Sequence, residues 1–128
     1  MTGSLRIKKI SLLIISGFYI LAGVNHFVNP DFYYPMIPDY FPFPIFINAA
    51  SGLLEIALGI LILWKTTRRL AAYGIMIMLL AFVPAHVHFI ILGGCVADGL
   101  CVPMWLAWFR LIPIHPLLIM WAWWHSKG

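Results

Sequence analysis

The chain has 128 residues, 63% of them hydrophobic, 16% aromatic and only 9% charged. A soluble domain carries about a quarter of its residues as charges, so this composition excludes one and calls for an integral membrane protein. The formal charge of +4 comes without any basic patch interleaved with aromatics, which argues against a nucleic-acid partner.

A basic arm, Arg6, Lys8 and Lys9, leads into the first apolar stretch, residues 10–28. That stretch is longer than the core of a signal peptide and no A-x-A site follows it, so a retained helix is expected. The 29–44 connection carries Asp31 and Asp39, and the second apolar stretch runs over 45–64. A short basic turn with Lys65, Arg68 and Arg69 leads to the third stretch, 70–92. The 93–103 connection holds Cys95, Asp98 and Cys101, and a fourth stretch, 104–124, ends in a tail with Lys127.

Each stretch is close to the ~20 residues that cross a ~30 Å hydrocarbon layer. Each must be helical, because backbone amides in lipid can be satisfied only within their own segment. The expected fold is all-α, a single four-transmembrane-helix bundle over residues 1–128. Basic short connections stay inside, which predicts cytoplasmic N- and C-termini and external 29–44 and 93–103 connections. The expected location is the inner (plasma) membrane of a bacterium, with the lipid bilayer as partner.

Glu55 and Arg110 fall well inside apolar stretches. An ionisable group there costs roughly 2.5–3.5 kcal/mol on insertion scales, so pairing the two across helices is the economical expectation. Whether the pair is structural or faces a ligand stays open. At a rise of ~1.5 Å per residue, Glu55 lies roughly 15 Å below the outer surface and Arg110 about 10 Å below it. Asn25 and His26 close the first helix, Asn48 opens the second, His86 and His88 lie near the outer end of the third, and His115 is deeper than Arg110 on the fourth.

Asn48, Gly52, Glu55 and Gly59 share one helix face by their 4, 3, 4 spacing. Ser16, Tyr19, Gly23 and His26 do the same on the first helix. A polar pocket in the outer half of the bundle explains these positions together. Its candidate ligand-binding residues are Asn25, His26, Asn48, Glu55, His86, Arg110 and His115, with Glu55 and Arg110 as the candidates for chemistry.

His86 and His88 point about 200° apart on a helix, so they do not chelate one ion together, and no metal site is expected. His115 stands between Pro113 and Pro116, where the fourth helix is expected to kink, and both a core and a catalytic role stay open. The methionines, Met76, Met78, Met104 and Met120 among them, read as packing or lipid-facing residues. Cys95 and Cys101 are expected to form a small external disulfide, a staple in one reading and a redox-exchanging pair in the other. Phosphate loops, hydrolase elbows, zinc-protease and haem-attachment motifs are all absent from the sequence.

The strings Ala22-Gly23-Val24-Asn25-His26-Phe27 with Pro30, Ile37-Pro38, Pro42-x-Pro44, Ser51-Gly52-x-x-Glu55 with Gly59, and Thr67-Arg68-Arg69-Leu70-Ala71 run through the first three stretches. Pro84-Ala85-His86 and Trp108-Phe109-Arg110-Leu111-x-Pro113-x-His115 follow them. Together they resemble the DoxX-like family of small four-helix membrane proteins over nearly the whole chain. At His86 and His115 the chain departs from the family pattern, where Asn and Gln often stand. The resemblance implies a redox-associated, quinone-facing membrane protein, since namesake members accompany thiosulfate:quinone oxidoreduction.

Two readings follow. In one, the protein is a component of a quinone-linked oxidoreductase: Arg110 and a histidine polarise quinone carbonyls, Glu55 relays protons, and a redox partner protein supplies electrons. In the other it is a non-catalytic helper that binds a lipid, a small apolar molecule or a partner helix. A homo-oligomer is compatible with both.

Overall fold

A computed structural model describes residues 2–38, 40–95 and 101–127. Asp39, Asp98 and Gly99, which belong to the two connections expected outside, lie outside the described residues.

Helix α1, Thr2–Val28, is unbroken, so the basic arm belongs to it. Pro30 opens a single turn, α2 (Pro30–Tyr33), where its missing N–H is no loss, and a 3-10 turn over Tyr34–Met36 follows. Helix α3, Pro44–Leu61, again starts on a proline. The third span is α4 (Arg68–Ala81) and α5 (Val83–Ile91), divided at Phe82 beside Pro84. Pro84 has no N–H to offer the carbonyl of Leu80, so the helical ladder is interrupted there. Gly93 and Gly94, with φ of 81° and 76°, turn the chain away after α5. The fourth span is α6 (Met104–Phe109) and α7 (His115–Ser126), with extended backbone at Ile112 (φ −138°, ψ 111°) just before Pro113. The kink anticipated around His115 is therefore present.

Among the described residues, four helices are long and apolar enough to span a membrane: Leu5–Val28, Pro44–Leu61, Arg68–Ile91 and Met104–Ser126. The second ends three residues earlier than the expected 45–64. The reason lies in its terminal carbonyls: Thr67 Oγ1 donates to Leu61 O at 2.6 Å, and Arg68 donates to Ile62 O at 3.0 Å and Leu63 O at 2.9 Å. These side chains satisfy the carbonyl groups that a helix end leaves open.

Large apolar side chains are exposed on every span, as Leu21 (70%), Leu53 (64%), Ile77 (67%) and Leu117 (56%) show. Apolar exposure this extensive fits a surface that faces hydrocarbon. The chain is thus a multi-pass membrane protein.

Packing is uneven along the bundle. Helix α1 packs mainly on α3, and α4 on α7. The main apolar core joins Leu12, Ile15 and Tyr19 of α1, Leu58 of α3 with Ile62 just beyond it, Ala71, Ala72 and Ile75 of α4, and Ala122 of α7. All lie in the half nearer the basic 62–67 turn. Among the described residues the opposite half has a small cluster, Met36, Phe89 and Ala107, and the space beside it is the pocket.

A candidate ligand pocket in the half opposite the basic turn

The pocket depends on how closely α1 and α3 approach. A Cβ on Gly23 would sit 2.5 Å from the carbonyl of Gly52, and one on Gly52 would sit 2.7 Å from the Cβ of His26. Only hydrogens fit at this crossing, which is how small residues draw membrane helices together. The approach brings His26 onto the face of α3 that carries Asn48 and Glu55.

Asn48 Nδ2 donates to the carbonyl of His26 at 2.9 Å, which orients the amide. Its Oδ1 then faces His26 Nδ1 at 2.6 Å, so Nδ1 is the protonated nitrogen and donates. That leaves His26 Nε2 toward Glu55, 3.3 Å from Oε2. Two lone pairs facing at this separation repel, so the contact is favourable while a proton resides on the pair, as acid with imidazole or carboxylate with imidazolium.

The other side of the imidazole stacks on Tyr33, with ring centroids 3.8 Å apart and planes at 15°. Asn25 Nδ2 donates to the Tyr33 hydroxyl at 2.6 Å, and Asn29 Nδ2 donates to Asn25 Oδ1 at 2.8 Å. Burial raises the Tyr33 phenol above its ordinary value, so it stays protonated at neutral pH.

Glu55 does not pair with Arg110, contrary to the expectation from sequence. Helix α3 meets α1 across the glycine crossing, which hands Glu55 to His26. Arg110 instead follows α6, with its guanidinium carbon 4.8 Å from the centre of the Phe89 ring. Both residues nonetheless line one cavity of about 500 Å³. Arg110 Nη1 is buried on its wall without a hydrogen-bond partner among the described residues, and Glu55 Oε2, also buried there, has only its 3.3 Å contact with His26 Nε2. The Tyr19 hydroxyl is likewise buried and unsatisfied, below the pocket on α1.

Of the seven candidate ligand-binding residues, the structure places His26, Asn48, Glu55, His86 and Arg110 on the cavity wall. Asn25 and His115 do not line it. Asn25 is engaged by Tyr33 and Asn29. His115 is 3% exposed and its Nε2 donates to Leu79 O, next to the break between α4 and α5. Its ring meets the edge of His86 with centroids 4.7 Å apart, so it backs the wall without forming it.

Sequence reasoning missed the part of the wall built by the 29–43 connection, Tyr33, Met36, Ile37, Pro38 and Phe41. Their aromatic and apolar character was the available signal, but it reads equally as a membrane-interface belt. Ser51 was also missed, although it stands one helical turn before Glu55 on the same face.

Among the described residues no group of three or more His, Cys, Asp or Glu is arranged to hold a metal ion. Cys95 and Cys101 are joined in a disulfide, and the backbone returns beside it through Val102 N–H to Gly94 O at 2.8 Å. Chemically, the pocket offers an apolar slot with a protonated donor on one wall and an acid–imidazole pair on the other.

A family model described as a domain of unknown function (DUF8561) matches residues 15–126. No curated protein and no solved structure matches the chain.

Proposed function

The chain belongs to the DUF8561 family, whose function is unknown, and from that premise we propose that its pocket binds a quinone as part of a membrane redox system. The observation that carries the reading is Arg110 Nη1, buried without a hydrogen-bond partner among the described residues, on one largely apolar cavity of about 500 Å³ whose wall also holds the His26–Glu55 pair. A buried donor left open costs free energy unless a ligand completes it. A quinone headgroup matches both demands: a flat apolar ring for the slot and carbonyl oxygens for the polar walls.

Arg110 Nη1 donates a hydrogen bond to one carbonyl oxygen and stabilises the negative charge that develops there on reduction. The proton held by His26 and Glu55 passes to a quinone oxygen as electrons arrive, and the second proton comes from solvent. The two electrons come from a redox partner protein. The same reading makes the protein DoxX-like, in line with its Ser51-Gly52-x-x-Glu55 and Arg110-x-x-Pro113 strings. It also puts both termini and the 62–67 turn on the cytoplasmic side of a bacterial inner membrane. Arg6, Lys8, Lys9, Lys65, Arg68, Arg69 and Lys127 support that orientation by collecting at one end.

The test is native mass spectrometry of the protein extracted gently from its own membrane, with quinone extraction of the same sample, repeated for Glu55→Gln and Arg110→Gln. Stoichiometric quinone in the wild type and its loss from folded variants is the expected result. Retention of phospholipid alone, unchanged in both variants, would sink the quinone reading. It would favour the second one, a non-catalytic helper that binds a lipid. That reading has its own observation: the His26, Asn48 and Glu55 contacts tie α1 to α3 and serve folding with or without a ligand.

A further inference from the structure

A second cavity, about 470 Å³, opens at the end of the bundle opposite the pocket. It lies between the 62–67 turn, the start of α4 and the end of α7, and is lined by Lys65, Arg68, Arg69, Tyr73, Trp123, Ser126 and Lys127. Four of these seven residues are cations. The chain has four acids, Asp31, Asp39, Glu55 and Asp98, and none falls in the segments that build this cleft. No acidic side chain of these segments therefore neutralises it.

The cations are held as a site. Arg68 is anchored through Nε and Nη2 on the carbonyls of Ile62 and Leu63, which fixes its charge at the cleft wall. Lys127 Nζ lies 3.9 Å from the Trp123 ring centre, and the Arg69 guanidinium 5.8 Å from that of Tyr73. Aromatic faces keep these charges close to the cleft and leave their N–H groups available. Helix α4 starts here with no side-chain cap, so its first-turn amides add donors and the positive end of its dipole.

The surroundings select the ligand. Trp123 and Tyr73 are half-exposed at the end of their spans, the level at which aromatic side chains meet lipid headgroups. Leu70 and Ile77, 79% and 67% exposed, continue the face of α4 from the cleft toward the hydrocarbon. Cations with no acidic side chain in the segments around them, above an apolar face, complement a phosphate diester that carries acyl chains.

We infer that this cleft is a binding site for the headgroup phosphate of an anionic phospholipid, with the acyl chains laid along α4. The inference is independent of what the other pocket holds.

The experiment is native mass spectrometry of the full chain released from nanodiscs of phosphatidylglycerol mixed with phosphatidylcholine. Wild type is compared with Arg69→Gln/Lys127→Gln and with a control, Arg6→Gln/Lys9→Gln. The control removes two exposed cations at the same end but outside the cleft. Arg68 is left intact because it also closes α3. Wild type is expected to retain one phosphatidylglycerol in preference to phosphatidylcholine. The cleft variant should bind it roughly 30-fold more weakly, from about one surface-charge contribution per residue removed, with the control near wild type.

Equal retention of the two lipids, or equal weakening in the cleft and control variants, would overturn the site in favour of diffuse attraction. Displacement of the lipid by inorganic phosphate at equal concentration would overturn the lipid assignment in favour of free phosphate. Thermal unfolding of each variant in phosphatidylcholine alone verifies that the fold is kept.

Discussion

Replacing Gly23 with alanine probes the crossing on which the pocket stands. The new Cβ would lie 2.5 Å from the carbonyl oxygen of Gly52 and 2.6 Å from Ile56 Cγ1, where ordinary contact begins near 3.4 Å. The nearest obstacle is backbone, so α1 and α3 must separate by about 0.9 Å. The His26–Asn48 hydrogen bond, now 2.6 Å, would lengthen to about 3.5 Å, beyond the useful range. Overpacking of this kind costs about 1–3 kcal/mol.

Alanine also gains about 1 kcal/mol over glycine in helix propensity, which would mask part of that cost. The fair comparison is therefore Gly17→Ala on the same helix, where an added Cβ meets nothing within 4 Å. Both variants receive the propensity gain and only one receives the clash. Reversible unfolding in mixed micelles, titrated with a denaturing detergent, should place Gly23→Ala about 1–3 kcal/mol below Gly17→Ala. Ligand retention should fall in the same variant, because His26 no longer sets the wall. If the two variants are equally stable and retain equal ligand, the glycine crossing does not position the site.

Two further substitutions separate the wall of the pocket from what stands behind it. Arg110→Lys keeps the charge but loses the planar fork that presents Nη1, so ligand retention in quantitative extraction should drop at least about tenfold, with the unfolding midpoint nearly unchanged. His115→Leu removes the donor to Leu79 O and should cost about 1–3 kcal/mol in the same unfolding titration. Ligand content per folded molecule should stay at the wild-type level, and a loss there would place His115 in the site after all.

The sequence alone determined the four membrane spans, the all-helical class and which end of the bundle is basic. These properties are local sums: about twenty consecutive apolar residues and a cluster of lysine and arginine have the same meaning whatever they pack against. It also marked the small or polar face of α1 and of α3 that turns toward neighbouring helices, since such residues recur there at helical spacing, but that the two faces meet each other came from the tertiary structure. The kink near His115 was legible because proline removes a backbone donor wherever it stands in a helix.

Partner choice was decided only by the tertiary structure. Economy of charge pointed Glu55 to Arg110, but the glycine crossing hands it to His26, and Arg110 settles against Phe89. Which side chains touch depends on helix rotation and axial offset, and a shift of a single residue turns a helix by about 100°. The assignment of His115 to the backbone of Leu79, and of Tyr33 to the imidazole of His26, depends on the same geometry. So does the cavity itself, which exists because the apolar core fills only the half of the bundle nearer the basic turn.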